Sequence, residues 1–394
     1  MATITAADML EQGKLMTLDS LRESLSQIEP LNDHTFPTHS NIEFEVGENW
    51  GQVSLDQPTN VFLTTGGGTR YQLTRQAAEE AGAYAKMPRG LSPWMAPDIY
   101  QDFLNWAYRT GLGDKEYKLL SHDRDDAPPL ALAMCRGTIS QFSNLALLDA
   151  AEAGIREAYG SADILVDSGG VKYHNGLERT NMRLIVPEQA RSVARTRVLD
   201  DSWSTGIAIA NSLIGVSHPG TSVSGYLFRW WCTNGCTDTL ASGGKLSRRT
   251  ISSAEDAYAW ARQSVDEILG GLEGTFDAIQ NLADVPVGGS DGENVRVSQV
   301  MRDLFAQNSI PVREQNRIMA QMAELGGDLS MYDVQQAITF AANDDSISPR
   351  TADRLLELGG HVAHALHDRC GTCHQILPDD FVAMVAQAAE GNSN

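Results

Sequence analysis

The chain has 394 residues, and its content of 42% hydrophobic and 21% charged residues is typical of a soluble globular protein. Its formal net charge is −21. This acidic balance excludes a surface that is basic throughout, whereas nucleic-acid binding usually needs lysine and arginine to neutralise phosphates. Only a local groove of arginines would supply such charge here. The length is enough for two domains, or for one large domain with an appendage.

The sequence predicts neither export nor membrane insertion. Residues 1–8 have no basic start and no apolar core, which a signal peptide requires. No run reaches the roughly 18 apolar residues of a membrane span. We therefore expect a cytoplasmic protein without a membrane partner. Its five cysteines are then expected to be reduced or metal-bound rather than paired in disulfides.

Residues 1–60 predict a peripheral segment, because prolines separate a helical pattern from a short alternating strand. Short strands and helices follow. Thr74 is predicted to cap the first of these helices, and a second helix is predicted over 97–108. The glycine-rich turn at 64–71 lacks the Gly-Lys-Ser/Thr ending of a P-loop. We therefore interpret it as an ordinary turn rather than as a phosphate cradle.

Residues 61–285 predict an α+β core domain with flanking helices. Stretches typical of strands recur there, separated by short polar turns. Short turns favour antiparallel pairing, because a parallel pair needs a long crossover, so we expect an antiparallel or mixed sheet. One flanking helix is predicted over 145–158, opened by Asn144. A longer one is predicted to run to about residue 282, with an interruption at the glycine pair 270–271.

The most distinctive stretch of this core is the aromatic run 226–231, which predicts a buried strand. Asn234 and Gly235 follow and indicate a turn, because both residues tolerate positive φ. Arg229 lies inside the apolar run. A buried guanidinium must be paired or hydrogen-bonded, so we predict a partner for Arg229 elsewhere in the fold.

This stretch resembles a family found in phages and plasmids, catalogued as domain of unknown function 932. The family has an arginine followed by Cys-Ser/Thr-Asn-Gly, which Arg229 and the segment 232–235 match, and an Asn-Ser-x-x-Gly segment precedes them at 211–215. The resemblance implies a phage- or plasmid-encoded protein inside the host cell, and it brings no settled biochemical activity. The residues that form the structural signature are Asn211, Arg229, Cys232, Asn234 and Gly235.

The C-terminal region 294–394 predicts a series of helices after a boundary rich in proline and glycine. Its segment 332–339 also resembles the phage and plasmid family, with Gln336 in place of the usual asparagine. Near its end lie candidate metal ligands: His364, His367, Cys370, Cys373 and His374. Two cysteines separated by two residues have the spacing of a zinc knuckle, and histidines would complete a tetrahedral site. A reduced pair of cysteines near the surface is the alternative.

The candidate nucleic-acid ligands are basic residues near two loops: Arg70, Arg75, Lys245, Arg248 and Arg249. Trp94 and Trp106 would stack on bases if the fold exposes them. The sequence contains no nucleophile elbow, no His-Glu-x-x-His and no Walker motif, so we name no catalytic residue. Asp163 and Asp167 would share one face of a strand and suit a metal, but two exposed carboxylates are the simpler interpretation.

Three functions are compatible with these observations. The first is single-stranded DNA binding or annealing in the DNA metabolism of a mobile element. The second is that of an accessory protein, which binds a host protein through its acidic surface. The third is that of a zinc-dependent enzyme. A homo-oligomer is compatible with each of them.

The cluster of cysteines and histidines gives a first prediction. Purified protein should contain about one zinc per chain by elemental analysis, because a structural zinc site uses four ligands. Changing both Cys370 and Cys373 to Ser should remove the metal and have little effect on the core around Asn234, as judged by the near-ultraviolet circular dichroism spectrum. Metal-free protein purified without a chelator would contradict the prediction.

Overall fold

The computed structural model describes residues 6–28, 32–37, 42–54, 57–88, 90–111, 115–137, 142–168, 173–174, 179–194, 196, 201–211, 221–230, 235–238, 245–246, 254–287, 291–325, 329–342, 344, 347, 349–363, 377 and 379–391. The expected fold class is confirmed. Helices combine with an eight-stranded antiparallel sheet, a six-stranded mixed sheet and a two-stranded antiparallel sheet in an α+β fold, and a helical region follows toward the C-terminus.

The helices are α1 Ala6–Glu11, α2 Leu18–Ile28, α3 Arg75–Tyr84, α4 Pro97–Trp106, α5 Asn144–Tyr159, α6 Ala254–Leu282, α7 Asp291–Gln307, α8 Val312–Leu325, α9 Met331–Ala342, α10 Pro349–Ala363 and α11 Asp379–Gly391. The strands are β1 Leu15–Thr17, β2 Asn32–Pro37, β3 Glu43–Val46, β4 Pro58–Thr64, β5 Arg70–Thr74, β6 Glu116–His122, β7 Leu130–Arg136, β8 Leu165–Asp167, β9 Tyr173–His174, β10 Arg179–Ser192, β11 Ser202–Asn211, β12 Thr221–Arg229, β13 Gly235–Asp238, β14 Lys245–Leu246, β15 Pro286–Val287 and β16 Leu329–Ser330. Within the described ranges, none of the helices is long and apolar enough to cross a membrane.

The larger sheet has the strand order β1-β8-β10-β11-β12-β13, with β9 on β10 and β14 on β12. All of its pairings are antiparallel. β11 and β12 pair without a break, from Trp203 opposite Arg229 to Ala210 opposite Ser222. The predicted buried strand is confirmed, because residues 226–228 of β12 are completely buried.

Helices α5 and α6 pack against each other and against β11 and β12. Their apolar side chains share one core with the C-terminal helices α7 to α11. The predicted interruption of α6 at 270–271 is wrong, because the helix is continuous over 29 residues. Leu269 and Leu272 flank the glycine pair and are buried. Burying two leucines offsets the cost of about 1 kcal/mol that each glycine imposes on a helix.

The smaller sheet has the order β2-β6-β7-β5-β4-β3. It is mixed, since β5 and β7 pair in parallel while its other pairings are antiparallel. Helices α3 and α4 pack on it and close a second core, in which the Trp50 and Tyr100 rings stack with centroids 4.8 Å apart. Thr74 caps α3 as predicted, because its side chain accepts a hydrogen bond from the Ala77 N–H.

The predicted division into 1–60, 61–285 and 294–394 stays a prediction, and the structure adds two observations. First, β1 pairs with β8 of the larger sheet, and β2 and β3 are the edges of the smaller sheet. The N-terminal segment thus contributes strands to both sheets. Second, the C-terminal helices complete the core of the larger sheet.

Gly206 lies on β11 where the backbone of β10 passes very close. A Cβ atom at this position would lie 2.0 Å from the Leu184 carbonyl oxygen. Gly206→Ala should therefore force the central strands apart and cost about 3 kcal/mol of unfolding free energy, measured by urea denaturation. As the matched control, Gly270→Ala adds a methyl group in open space on a helix and should stabilise the protein by up to about 1 kcal/mol. Equal midpoints for the two variants would contradict this packing.

Candidate functional site

Arg229 is paired inside the protein, as predicted. Its Nε donates to Asp201 Oδ1 at 2.6 Å, and its Nη2 donates to Asp201 Oδ2 at 2.5 Å. Its Nη1 donates to Gln336 Oε1 at 2.7 Å. Asp201 is completely buried directly before β11. The planar guanidinium suits such a two-bond pairing, which is among the strongest hydrogen-bonded arrangements in proteins.

Helix α9 supplies the other half of this buried cluster. The Tyr332 hydroxyl donates to Asp201 Oδ2 at 2.5 Å, and Trp203 Nε1 donates to the Tyr332 hydroxyl oxygen at 3.1 Å. Burial raises the pKa of Tyr332 far above its ordinary value, so its hydroxyl stays a neutral donor to the carboxylate. The two segments that resemble the phage and plasmid family, around Arg229 and Tyr332, therefore meet at one carboxylate.

The burial and hydrogen bonds of this cluster indicate a structural role. Its members are almost or completely buried: Asp201, Trp203, Arg229, Tyr332 and Gln336. Because they are removed from solvent, a substrate has no access to them in this conformation. The cluster joins the centre of the larger sheet to α9. Sequence reasoning missed Asp201, because no local pattern connects it with Arg229, which lies 28 positions further along the chain.

Asn211 organises a second buried set of hydrogen bonds. Its Nδ2 donates to Asn144 Oδ1 at 2.8 Å, and its Oδ1 accepts from the Thr221 hydroxyl at 2.7 Å. Asn144 was expected to cap α5, but Ser143 does so by accepting from the Ala146 N–H. The expectation is wrong because the Asn144 side chain is buried in the contact with β11. Asn211, one of the predicted signature residues, therefore has a structural role, as Arg229 does.

The remaining signature residues and the predicted zinc ligands are described only in part. Gly235 begins β13 opposite Phe228, whereas Cys232 and Asn234 lie outside the described residues. The same holds for the five predicted zinc ligands: His364, His367, Cys370, Cys373 and His374. Among the residues with assigned structure, no group of three or more His, Cys, Asp or Glu side chains could hold a metal ion. Zinc binding stays a prediction.

Asp163 and Asp167 do not form a carboxylate pair. Asp163 is exposed and precedes β8. Asp167 is buried, accepts from the Tyr226 hydroxyl at 2.8 Å and lies 3.3 Å from Arg183 Nη1. The interpretation as two exposed carboxylates is therefore wrong for Asp167, because an arginine and a tyrosine compensate its burial.

Two of the predicted nucleic-acid ligands are bound to neighbouring carboxylates. Arg70 Nη2 lies 2.6 Å from Glu45 Oε2, and its guanidinium lies 3.9 Å above the Phe62 ring centroid. Arg75 Nε lies 2.8 Å from Glu79 Oε1. Each charge is thereby compensated locally. A phosphate would have to compete with a carboxylate for each arginine, which reduces the electrostatic gain from binding.

Of the other predicted ligands, the structure describes Lys245. Lys245 belongs to β14, and its backbone pairs opposite Ser222. Arg248 and Arg249 fall outside the described residues. Arg70 and Arg75 belong to the smaller sheet and its helix α3. A common groove for all five residues stays a prediction.

An exposed apolar surface lies on and beside α4. Trp94 is 86% exposed and Trp106 is 61% exposed, while Ile99 and Leu91 are about half exposed. We call these four residues the tryptophan surface. Ile99 and Trp106 are seven residues apart, so they share one face of α4 about 10 Å apart along its axis. Trp94 and Leu91 belong to the turn before α4, where the Trp94 N–H donates to the Leu91 carbonyl at 3.0 Å.

Side chains of α4 fix this helix against the edge of the smaller sheet. Asn105 Oδ1 accepts from the Phe44 N–H at 2.8 Å, and Asn105 Nδ2 donates to the Phe44 carbonyl at 3.0 Å. Gln101 Oε1 accepts from the Val46 N–H at 2.9 Å. Tyr100 is completely buried on the inner face of α4. The face of α4 opposite Tyr100 therefore points away from the smaller sheet.

The outward face of α4 carries acidic residues between its apolar ones. Asp98 and Asp102 are exposed. Asp102 follows Ile99 by three residues and precedes Trp106 by four, so it lies beside both of them, and Asp98 lies one turn from Asp102. Sequence reasoning identified the two tryptophans and missed this arrangement. The helical periodicity of 97–106 could have revealed it, because Tyr100 and its neighbours one turn away occupy the inner face.

Comparisons with known proteins give no relative. No protein-family model, no curated protein and no solved structure matches the chain. The resemblance to the phage and plasmid family therefore stays a prediction. The functional argument has to rest on the geometry of the described residues.

The buried cluster gives a stability prediction. Arg229→Leu leaves Asp201 as a buried charge without its main partner and should cost about 3–5 kcal/mol of unfolding free energy. The matched control is Arg70→Leu, which removes an exposed pair with Glu45 and should cost less than about 1 kcal/mol. Thermal and urea denaturation followed by circular dichroism measure both. Equal losses of stability in the two variants would contradict the assigned role of Arg229.

Proposed function

We propose that the chain is a non-enzymatic, phage- or plasmid-type accessory protein that binds a partner protein at the tryptophan surface. The observation that carries this proposal is the exposure of Trp106 on α4, a helix that is held firmly from behind, and of Trp94 in the turn before it. Four large apolar side chains are exposed within the stretch 91–106, and two of them share one face of α4, which points to a binding surface. Tryptophan is also enriched among the residues that dominate binding energy in protein interfaces.

The energy available at this surface is sufficient for specific binding. A tryptophan buries about 200 Å² when it is covered, which corresponds to about 5 kcal/mol before any costs are subtracted. Ordering of side chains and loss of translational freedom reduce this gain considerably. Two tryptophans with Ile99 and Leu91 still leave a net gain typical of an interface centre.

The rigidity of α4 supports the same proposal. Asn105 and Gln101 bind the backbone of β3. The Tyr100 hydroxyl donates to the Ala78 carbonyl at 2.6 Å, which ties α4 to α3. A surface that is already ordered loses little conformational entropy when the partner arrives, so more of the contact energy appears as affinity.

Single-stranded DNA is the second candidate ligand, because Trp94 and Trp106 are exposed enough to stack on bases. The charged residues near these tryptophans favour single-stranded DNA less than they favour a protein partner. Asp98 and Asp102 would face the phosphates, and Arg70 and Arg75 are each compensated by a carboxylate. Stacking would then have to supply most of the affinity, with a weak dependence on salt.

The test compares two double variants of the full chain. Changing Trp94 and Trp106 to Ala removes the centre of the tryptophan surface. The matched control changes Val312 and Phe340 to Ala, which are exposed apolar residues on α8 and α9. Proteins retained from a host-cell extract are identified by mass spectrometry, purified and titrated against each variant. We expect the tryptophan variant to bind at least about thirtyfold more weakly, equivalent to 2 kcal/mol.

Two outcomes would contradict the proposal. The first is a partner that binds the tryptophan variant and the control equally well. The second is tight binding of a labelled oligothymidylate that is lost only in the tryptophan variant, which would favour single-stranded DNA. Fluorescence anisotropy at about 50 mM and 200 mM salt measures the second arm, and the salt slope reports how many phosphates are contacted.

A further inference from the structure

We infer that the partner binds through a cationic amphipathic helix, which lies along α4 on the tryptophan surface. This inference rests on the proposed function and adds the chemistry of the partner. It is carried by two properties of the outward face of α4, the sign of its charges and the spacing of its apolar residues.

Two carboxylates lie along the outward side of α4, and one exposed cation, Arg109, follows Trp106 in the next turn, so the local charge is acidic on balance. Asp98 and Asp102 are exposed one helical turn apart. The chain after β3 carries a third carboxylate, that of Glu48, toward the N-terminal end of α4. Val46 is bound by Gln101 and Phe44 by Asn105, so β3 runs toward the N-terminus of α4. The exposed Glu48 follows in that direction, on the side where α4 begins.

The spacing of the apolar residues matches a helix better than an extended peptide. Ile99 and Trp106 lie about 10 Å apart along the axis of α4, two turns of the helix. A partner helix that packs nearly parallel to α4 presents apolar side chains at i, i+3 or i+4, and i+7 over the same distance. Trp94, in the turn before α4, would extend the contact by about one further turn. Lysine or arginine beside this apolar stripe would meet Asp98 and Asp102.

An extended strand is disfavoured at this place for a second reason. Strand addition needs free backbone N–H and C=O groups at a sheet edge. At the edge strand β3, the side chains of Asn105 and Gln101 already occupy the outward groups of Phe44 and Val46. The available surface is therefore the side-chain surface of a helix.

A second copy of the chain fits this surface poorly. The net charge of −21 makes two copies repel each other. Two tryptophan surfaces brought face to face would also oppose Asp98 and Asp102 to the same residues of the other copy. With a cationic partner, the net charge and the two aspartates both attract instead of repelling. This attraction speeds association and weakens as the salt concentration rises.

The test uses a defined synthetic probe. The peptide has about 18 residues, with leucine at i, i+3, i+4 and i+7 and lysine beside that stripe, so that it can form an amphipathic helix. A second peptide has the same composition in an order that abolishes the stripe. Fluorescence anisotropy measures binding of each labelled peptide to the full chain. We expect the first peptide to bind at least about tenfold more tightly than the second at low salt.

Variants of the protein separate charge from apolar contact. Changing Asp98 and Asp102 to Asn keeps the shape and removes two charges, so binding should weaken about fivefold at low salt and be unaffected at about 1 M salt. The matched control changes Asp125 and Asp126 to Asn, which are exposed in the turn between β6 and β7, and should bind like wild type. Peptide-induced helicity, measured by circular dichroism, reports the bound conformation.

The outcomes distinguish this inference from the proposed function. Equal binding of both peptides, or equal losses in the two Asp variants, overturns the cationic helix. Partner binding that still requires Trp94 and Trp106 would then leave the proposed function intact. Direct binding of oligothymidylate to the full chain that is lost when Trp94 and Trp106 become Ala overturns the inference in favour of single-stranded DNA. A dimer by light scattering that dissociates when Trp94 and Trp106 become Ala overturns it in favour of a second copy.

Discussion

The pairing of Arg229 with Asp201 is the constraint on which the rest of the larger sheet depends. Both groups are buried, so separating them would leave a charge in an apolar environment at a cost of several kcal/mol. A shift of β12 by one residue would turn Arg229 to the other face of the sheet and break the pair. Tyr332 and Gln336 bind the same two groups. One ion pair thus fixes both the register of the central strands and the position of α9.

Much of this arrangement could be predicted from the sequence, and the remainder depended on distant contacts. The requirement for a partner of Arg229 follows from the cost of burying a charge, and alternating apolar residues indicate strands wherever they occur. The identity of Asp201 does not follow, because 28 residues separate it from Arg229 and several other carboxylates were available. Asn144 was misjudged for a related reason. Its local pattern suits a helix cap, but a tertiary contact with Asn211 takes its side chain.

The residues of the predicted structural signature and the exposed residues that suit a ligand lie in different parts of the fold. Asn211 and Arg229 are enclosed in the core, where they determine which elements pack together. Trp94 and Trp106 lie outside this predicted structural signature and are exposed. A sequence pattern of the first kind reports architecture, and a binding partner has to be inferred from a surface. The candidate site is therefore identified by which residues of α4 are buried and which are exposed.

The contact between α4 and β3 has a consequence for the solubility of the protein. Asn105 pairs with the N–H and the carbonyl of one strand residue, as a neighbouring strand would. The helix thereby closes a sheet edge that could otherwise recruit strands from other molecules. Substitutions of the outward residues of α4 leave these inward amides in place. Loss of the amides would expose the edge of β3 to strands of other molecules, so α4 also protects the protein against aggregation.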